Sequence, residues 1–251
     1  MKGIDSMKKV NQTAIFKNAV FLILFSILIY SGSKILNWSK ENIQNKNMAE
    51  NINEVAVTKP NNEENKYTVD FNILKKQNSD TAAWIKVNGT NIEYPIVKAK
   101  DNEYYLTHSF DKSSNSAGWI FADYKNKFDG TDKNIVVYGH NRKDKSMFGS
   151  LKNILSSQWQ NSSENTEITF ISENENCIYK VFSVYQIQKE DYYIKTNFSS
   201  NKEFEKFLET IKNRSIKDFK AHVSSADSIL TLSTCAANDD YRIVLHAKKS
   251  N

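Results

Sequence analysis

The sequence predicts a mainly β fold, a barrel or a sandwich, with a few helices at its periphery. Short apolar runs rich in Val, Ile, Phe and Tyr recur at close spacing from Trp84 onward, and polar turns separate them. Hydrophobic residues make up 39% and aromatic residues 12% of the 251 residues. This length and composition predict one domain with a packed core plus an appendage.

Eight segments carry the strand pattern, in which β-branched and aromatic residues lie between polar turns. In chain order they are 84–87, 92–97, 118–121, 135–138, 167–171, 178–188, 229–234 and 243–246. Because the pattern alone does not distinguish a closed barrel from two packed sheets, both architectures remain open at this point.

A capping box, with Ser200 as the cap and Glu203 reaching back to the Ser200 backbone amide, predicts one helix. Its apolar residues follow at helical spacing on one face: Phe204, Phe207, Leu208 and Ile211. We interpret it as a surface helix packed on the sheet. Two shorter helices are predicted, one capped by Asp70 and one over residues 146–155.

The N-terminal segment predicts a membrane element. The apolar run 19–30 is shorter than the roughly twenty residues that a spanning helix needs, but residues 14–36 reach that length if the flanking lysines extend to the interfaces. Four lysines precede the run: Lys2, Lys8, Lys9 and Lys17. They predict an inside N-terminus and an outside domain. A signal peptide cleaved near residues 31–33 is the alternative to an anchor.

Three regions follow from these patterns. Residues 1–37 are predicted to form a cytoplasmic tail and membrane anchor, and residues 38–67 a polar stalk or linker rich in Asn, Glu and Lys. The pattern in 38–67 does not decide between a helix near the membrane and a loose stalk. Residues 68–251 are predicted to form an extracellular catalytic domain. The net charge of +5 is spread along the chain without a basic stripe, so no nucleic-acid partner is predicted.

The end of the chain carries the candidate chemistry. The strand 228–234 ends in Cys235, and a polar turn separates it from Arg242, which opens the next strand. A thiolate is the best side-chain nucleophile, and a nearby cation neutralises an oxyanion formed beside it. Cysteine at the end of one strand and arginine at the start of the next meet at one rim of a sheet. The alternative is a buried, unreactive Cys235.

A cysteine nucleophile needs a histidine close in space. The chain has four: His108, His140, His222 and His246. His140 follows the apolar strand 134–138 and comes directly after Gly139, which is typical of a functional residue held by a rigid scaffold. The other three stand in contexts that favour a structural or solvated histidine.

The second cysteine, Cys177, lies in a predicted strand, 177–185, and is interpreted as a buried bystander. A disulfide between Cys177 and Cys235 is the alternative, and it would silence the nucleophile. Two cysteines in an extracellular chain do not make a disulfide framework. No metal-ligand cluster and no phosphate-binding glycine loop is found in the sequence, so neither a metal nor another cofactor is predicted.

The motif Thr231-Leu232-Ser233-Thr234-Cys235, with Arg242 after it and Tyr138-Gly139-His140-Asn141 before it, resembles the sortase family. The resemblance covers roughly residues 70–248. The helix before the cysteine strand and the segment 100–106 resemble class B. The resemblance implies a closed β-barrel of about eight strands, with an N-terminal helical segment and a helix inserted before the cysteine strand.

The same resemblance implies a membrane-anchored cysteine transpeptidase of a Gram-positive bacterium. It would cleave the C-terminal sorting signal of secreted proteins through a thioester and transfer them to an amine of a peptidoglycan precursor or cross-bridge. Cys235 would be the nucleophile, His140 the acid and base, and Arg242 the oxyanion donor. The residues that the resemblance implies near the sorting signal are Asn102, Leu106, Tyr193, Ile194, Ser233 and Thr234.

Three other functions stay open at this point. A secreted or anchored cysteine endopeptidase would hydrolyse peptides without transferring them. A pilin-polymerising sortase would use the same chemistry on a different acceptor. An anchored binding module would lack a reactive thiol.

Overall fold

The computed structural model describes residues 12–60, 66–235 and 240–250, and at Cys235 it describes the backbone alone. Two compact units are distinguished, one up to Glu41 and one from Asn42 onward. In its described residues, the first unit is the beginning of a long helix, α1, which runs over Gln12–Ala56. Between Ala14 and Leu36 its large apolar side chains are exposed. This helix is long and apolar enough to cross a membrane, although a signal sequence has the same features.

The second unit is a closed eight-stranded barrel with peripheral helices. Its strands are β3 Thr81–Val87, β4 Ile92–Val97, β5 Phe121–Ala122, β6 Asn134–His140, β7 Glu167–Ser172, β8 Asn176–Gln188, β9 Ile229–Cys235 and β10 Tyr241–Lys249. Around the barrel their order is β10-β8-β7-β3-β4-β5-β6-β9. Two short strands, β1 Val57–Thr58 and β2 Thr68–Val69, form a separate antiparallel pair. The predicted fold is confirmed, and the barrel closes where the sequence also allowed a sandwich.

The strand predicted at 118–121 is shorter and begins later, at Phe121. Its first residues have other partners, because the Gly118 amide donates to the Asn115 carbonyl and the Trp119 amide donates to the Tyr105 carbonyl. Gly118 also has a φ of +60°, which is outside the range of a strand. These contacts make residues 118–120 part of a loop.

Besides the end of α1, the second unit contains three shorter helices and three 3₁₀ turns in its described residues. They are α2 Phe71–Gln77, α3 Ser157–Gln160 and α4 Asn201–Asn213, with 3₁₀ turns at Tyr104–Leu106, Leu151–Leu155 and Tyr192–Ile194. The predicted caps are confirmed, since Asp70 accepts from the amides of α2 and Ser200 accepts from the Glu203 amide. The Glu203 carboxylate accepts from the Ser199 amide rather than from that of Ser200.

The helix predicted over 146–155 is wrong in its first half. Only Leu151–Leu155 is helical, as a 3₁₀ turn. Met147 has a φ of +49°, which no right-handed helix admits, and its buried side chain lies in the core. The apolar spacing in this segment arises from a turn that packs inward, not from an α-helix.

Strand β9 contributes side chains to two separate hydrophobic cores. Leu230 and Leu232 belong to the main core inside the barrel, whereas Ile229 packs in a second core with the apolar face of α4. Because side chains alternate along a strand, one strand serves both cores. The strand that leads to Cys235 is therefore held from both sides.

Within the second unit, α1 is part of the packed structure. Asn45, Ala49, Ile52 and Ala56 are buried on one face of the helix at Asn42–Ala56. This part of the segment proposed as a stalk is therefore a helix packed in the same unit as the barrel. The boundaries at residues 37 and 67 stay predictions.

Candidate active site

The candidate nucleophile and base end two neighbouring parallel strands. Strands β6 and β9 pair in register, and the last pair of Cα partners is His140 and Cys235. Adjacent strands lie about 4.8 Å apart, so the two backbones are within reach of each other's side chains. The pairing explains why His140 and Cys235, far apart in sequence, share one rim of the barrel.

Arg242 joins this rim from the other side of β9. Strands β9 and β10 are antiparallel, with Ser233 opposite Val244. Two residues onward along β9 is Cys235, and two residues back along β10 is Arg242, so the register brings both to the same end. The Arg242 Nη1 donates to the Tyr241 carbonyl at 3.1 Å, and the side chain is half-buried. The predicted turn between them lies, up to position 239, outside the described residues.

A backbone carbonyl orients the His140 ring. The Nε2 atom lies 2.8 Å from the Leu106 carbonyl oxygen. A carbonyl can only accept a hydrogen bond, so Nε2 carries a proton and donates it. The family resemblance implied Leu106 as a residue near the sorting signal, and nothing in the sequence indicated this contact, because a backbone acceptor leaves no trace in the residue type.

Gly118 stands against both His140 and Leu106. Its φ of +60° is in the left-handed region, which favours glycine. A Cβ at this position would lie 2.5 Å from the Tyr105 oxygen, 2.8 Å from the Leu106 oxygen and 2.9 Å from the His140 Cδ2. The ring and its acceptor can therefore approach each other only because this position has no side chain.

Asn102 is held by hydrogen bonds to a neighbouring loop. Its Nδ2 donates to the Asp123 carboxylate at 2.8 Å, and its Oδ1 accepts from the Tyr124 amide at 3.0 Å. Asp123 is almost fully buried and also accepts from the Tyr138 hydroxyl at 2.9 Å. Sequence reasoning missed Asp123, whose only signal is an aspartate directly after a short apolar strand. It connects Asn102 to the strand that ends in His140.

The other residues that the resemblance placed near the sorting signal differ in exposure. The Tyr193 side chain is only 2% exposed, and its hydroxyl lies 3.0 Å from the Ser233 hydroxyl. Thr234 is buried, and its Oγ1 accepts from the Ile243 amide at 2.9 Å. Ile194 is half-buried between the two cores. The side chains of Tyr193, Ser233 and Thr234 are therefore buried, and their hydrogen bonds hold the cysteine strand in place.

The remaining histidines lie elsewhere. His246 is fully buried between the Tyr185 hydroxyl, at 2.8 Å, and the Thr231 hydroxyl, at 2.9 Å. Burial lowers the pKa of His246 to about 3, so it is neutral at physiological pH. His108 stacks on Tyr104 with 4.1 Å between ring centroids, and His222 is exposed. Of the four histidines, all in the described part of the chain, His140 is the one at the rim with Cys235.

Cys177 lies at the opposite end of the barrel. Strand β8 begins beside it, and Arg242 pairs with Ile187 near the other end of the same strand. The residues between Cys177 and Ile187 span roughly 33 Å of extended strand at about 3.3 Å per residue. A disulfide requires Cα atoms within about 7 Å, so a bond from Cys177 to Cys235 is excluded. Burial raises the pKa of the Cys177 thiol to about 11, as expected for an unreactive cysteine.

Comparisons with known proteins agree with this geometry. Residues 85–250 match the Sortase domain family model. Sortase B of Listeria monocytogenes is 34% identical over 235 residues, covering 90% of this chain and 94% of that protein. The crystal structure of sortase B from B. anthracis in complex with AAEK1 has a TM-score of 0.74 and 34% identity, over 84% of this chain and 99% of that one.

A further solved structure, sortase B complexed with Gly3, has a TM-score of 0.68 and 32% identity, over 72% of this chain and 85% of that one. The match to the family model covers more than half of the chain, and it includes the strands that carry all three residues of the rim. The relatives and the solved structures are class B enzymes. The chain therefore belongs to the sortase family of cysteine transpeptidases and is of the class B type.

Proposed function

We propose that the chain is a membrane-anchored transpeptidase that cleaves a C-terminal sorting signal through a thioester and transfers the protein to a peptidoglycan amine. The observation that carries this proposal is the register of three strands. His140 and Cys235 are Cα partners, and Arg242 stands across the next strand pair at the same end. Nucleophile, acid–base group and oxyanion donor then share one rim, as acyl transfer requires.

In the first step the Cys235 thiolate attacks the carbonyl carbon of the scissile peptide. A carbon–sulfur bond forms, and the carbonyl electron pair moves to oxygen. The Arg242 guanidinium offers several N–H donors to this oxyanion. Removing one such donor typically costs about a hundred- to a thousand-fold in rate.

In the second step the intermediate collapses and expels the amine of the departing peptide. His140, as the imidazolium that holds the proton taken from the Cys235 thiol, protonates this amine, which leaves a thioester on Cys235. Because Nε2 already donates to the Leu106 carbonyl, proton exchange with the reactants falls to Nδ1. An acceptor amine then attacks the thioester, His140 takes its proton, and the thiolate leaves. Amines attack thioesters far better than water does, which favours transfer over hydrolysis.

The acceptor that we propose is an amine of the peptidoglycan cross-bridge or of its precursor. A sortase B that is similar to this chain was solved as a complex with Gly3. A short glycine peptide presents the same primary amine as a glycine cross-bridge. This supports an oligoglycine amine as the first acceptor to test.

For the sorting signal we propose two kinds of residue. Asn102, Leu106 and Ile194 are half-buried and can contact a bound peptide directly. Ser233 and Thr234 are buried beside the nucleophile, and Tyr193 is buried against Ser233. These three would act by holding the rim in place. Substitution of one of the half-buried peptide contacts would then raise KM, whereas substitution of one of the three buried residues would lower kcat.

The localisation that we propose is the cell membrane, with the catalytic domain outside. The apolar part of α1 supports a spanning segment, and the lysines before it support an inside N-terminus. Cleavage near residues 31–33 is the alternative, and it would release a secreted enzyme.

Incubation of the full chain, in detergent micelles, with candidate sorting-signal peptides tests the function. The reactions run with and without triglycine, and mass spectrometry identifies the products. A triglycine-ligated product supports the proposal. Hydrolysis alone indicates an endopeptidase, and ligation to a lysine side chain in preference to triglycine indicates a pilin-type sortase. Absence of any turnover with all peptides, in a folded protein, contradicts the proposal.

A further inference from the structure

We propose that Asn45, on helix α1, is a positioning residue for His140. It acts by holding the loop that carries the Leu106 carbonyl and Gly118. This inference rests on the proposed role of His140. It concerns a residue far from the catalytic motifs in sequence and within a segment that the composition marks as polar.

The contacts of Asn45 are unusually complete for a helix side chain. It is only 1% exposed. Its Nδ2 donates to the Gly118 carbonyl at 3.0 Å, and its Oδ1 accepts from the Asn115 Nδ2 at 3.0 Å and from the Ser109 hydroxyl. An amide buried to this degree is costly unless its groups are paired, so the loop and the helix specify each other's position.

The loop bound in this way is the one that orients His140. The Asn115 backbone amide donates at 2.9 Å to the carbonyl of Thr107, the residue that follows Leu106 in the chain. At the other end of the loop, Gly118 lies so close to the Leu106 oxygen and the His140 ring that an added Cβ would come within 3 Å of both. Asn45 therefore bonds to two residues, Asn115 and Gly118, that fix the acceptor of the His140 Nε2 proton.

A second contact from the same helix reaches the other side of His140. Asn42, one turn before Asn45, accepts a hydrogen bond from the Arg142 guanidinium. The Arg142 amide in turn donates to the His140 carbonyl at 3.1 Å. The helix thus contacts the segment that follows His140 as well as the loop that faces its ring. Both contacts fall within the compact unit that starts at Asn42.

A merely structural role for Asn45 predicts lost stability and no specific effect on catalysis. The chain offers a matched control for it in Asn53, two turns further along α1. Asn53 also makes two hydrogen bonds to the barrel, donating to the Glu93 carbonyl at 2.8 Å and accepting from the Trp84 indole at 3.0 Å. These contacts lead to β3 and β4 and not to the His140 loop.

The experiment compares Asn45→Ala with Asn53→Ala in the full chain in detergent micelles. Three quantities are measured: the melting temperature, kcat and KM for signal-peptide transfer to triglycine, and the ¹⁵N chemical shifts of the His140 ring. We expect both variants to melt earlier. Asn45→Ala lowers kcat about ten- to a hundred-fold and leaves KM within about threefold. Displacing a catalytic group by roughly 1 Å can lower the rate by up to about a hundred-fold. Asn53→Ala leaves kcat within about threefold.

The ring shifts separate positioning from general damage. At a pH high enough to remove the second ring proton, we expect the parent chain to keep the remaining His140 proton on Nε2 and Asn45→Ala to mix in the Nδ1–H tautomer. If Asn45→Ala does not fold, Asn45→Asp carries the test, since it keeps the oxygen that accepts from Asn115 and Ser109. Unchanged kcat and unchanged ring shifts in a folded Asn45 variant overturn the inference.

His140→Ala in the same assay separates the two proposals. If His140→Ala is inactive while the Asn45 variant matches Asn53→Ala, the positioning role is wrong and the proposed function stands. If His140→Ala retains near-normal transfer, the catalytic assignment of His140 fails, whatever the Asn45 variant does.

Discussion

Gly118→Ala is a one-carbon change that should disable the site without replacing any residue that performs chemistry. The added Cβ would meet the Tyr105 oxygen at 2.5 Å, the Leu106 oxygen at 2.8 Å and the His140 Cδ2 at 2.9 Å. Ordinary contact begins near 3.4 Å. The neighbours must therefore give way by about 0.9, 0.6 and 0.5 Å respectively.

These displacements act on the hydrogen bond that holds the catalytic ring. Moving the Leu106 oxygen by about 0.6 Å stretches its 2.8 Å contact with the His140 Nε2 toward the limit of a useful hydrogen bond. Misplacement of a catalytic group by about 1 Å costs on the order of a hundred-fold in rate. We expect kcat for transfer to fall roughly thirty- to a hundred-fold.

Stability falls as well, and a second glycine separates the two causes. Alanine in the left-handed region costs about 1–2 kcal/mol, and overpacking adds about 1–3 kcal/mol. Gly130 also has a positive φ, +83°, but nothing lies within 4 Å of its Cβ position. Gly130→Ala should therefore show the backbone cost alone, about 1–2 kcal/mol in denaturant unfolding, with unchanged kcat. Gly118→Ala with kcat within threefold of the parent chain would refute this account of the histidine.

Four further outcomes are expected. Cys235→Ala abolishes cleavage and ligation, whereas Cys177→Ala retains most activity; an inactive Cys177 variant with an active Cys235 variant contradicts the assignment. Iodoacetamide at neutral pH should modify Cys177 slowly, because burial raises the pKa of its thiol to about 11. Arg242→Ala and Arg242→Lys each lower kcat/KM about a hundred-fold or more, since a lysine cannot reproduce the guanidinium fork; near-normal kinetics remove it from the mechanism. Protease added to protoplasts releases an active fragment cut within residues 38–41, before the packed part of α1, unless the mature chain starts after the apolar run. His246 makes the unfolding free energy fall as pH drops below about 6.5.

The sign of the His246 effect follows from its lowered pKa. The unfolded chain binds the proton near the ordinary value of 6.5, whereas the folded chain does so only near 3. The contribution is therefore complete above pH 6.5 and is lost as pH falls toward 3, by up to about 1.4 kcal/mol per pH unit. His246→Asn should flatten this slope, and His222→Asn, at an exposed site, should leave it unchanged. Equal slopes in both variants would assign the effect to other groups.

Patterns that are local in sequence predicted most of the barrel. Period-two and β-branched runs marked the strands, and the cap at Ser200 with the apolar face behind it marked α4. Turns were predicted less well. The segment before Leu151 has helical apolar spacing, but Met147 takes a positive φ, and no residue type in the segment requires it. Spacing reports which residues are buried and does not by itself fix the backbone.

The part of the candidate site that sequence could predict is the part that strands bring together. A cysteine ending one strand and an arginine opening the next must meet at one rim, because the two strands are antiparallel neighbours. The parallel pairing with β6 was not visible in the pattern, and the His140 position rested on its context and on the family resemblance. The pairing supplies the physical reason, since it makes His140 and Cys235 Cα partners.

The orientation of His140 depends on contacts that no local pattern encodes. The acceptor of its Nε2 proton is the backbone of Leu106, and a carbonyl looks the same in every residue. The loop around that carbonyl is held by Asn45, which lies 73 residues from Gly118 and 70 from Asn115 in sequence. Asparagine is common in this chain, so one buried copy does not stand out from the many exposed ones. A catalytic residue can thus be identified from its type and strand, whereas the groups that aim it become visible only once the helix and the loop are seen in contact.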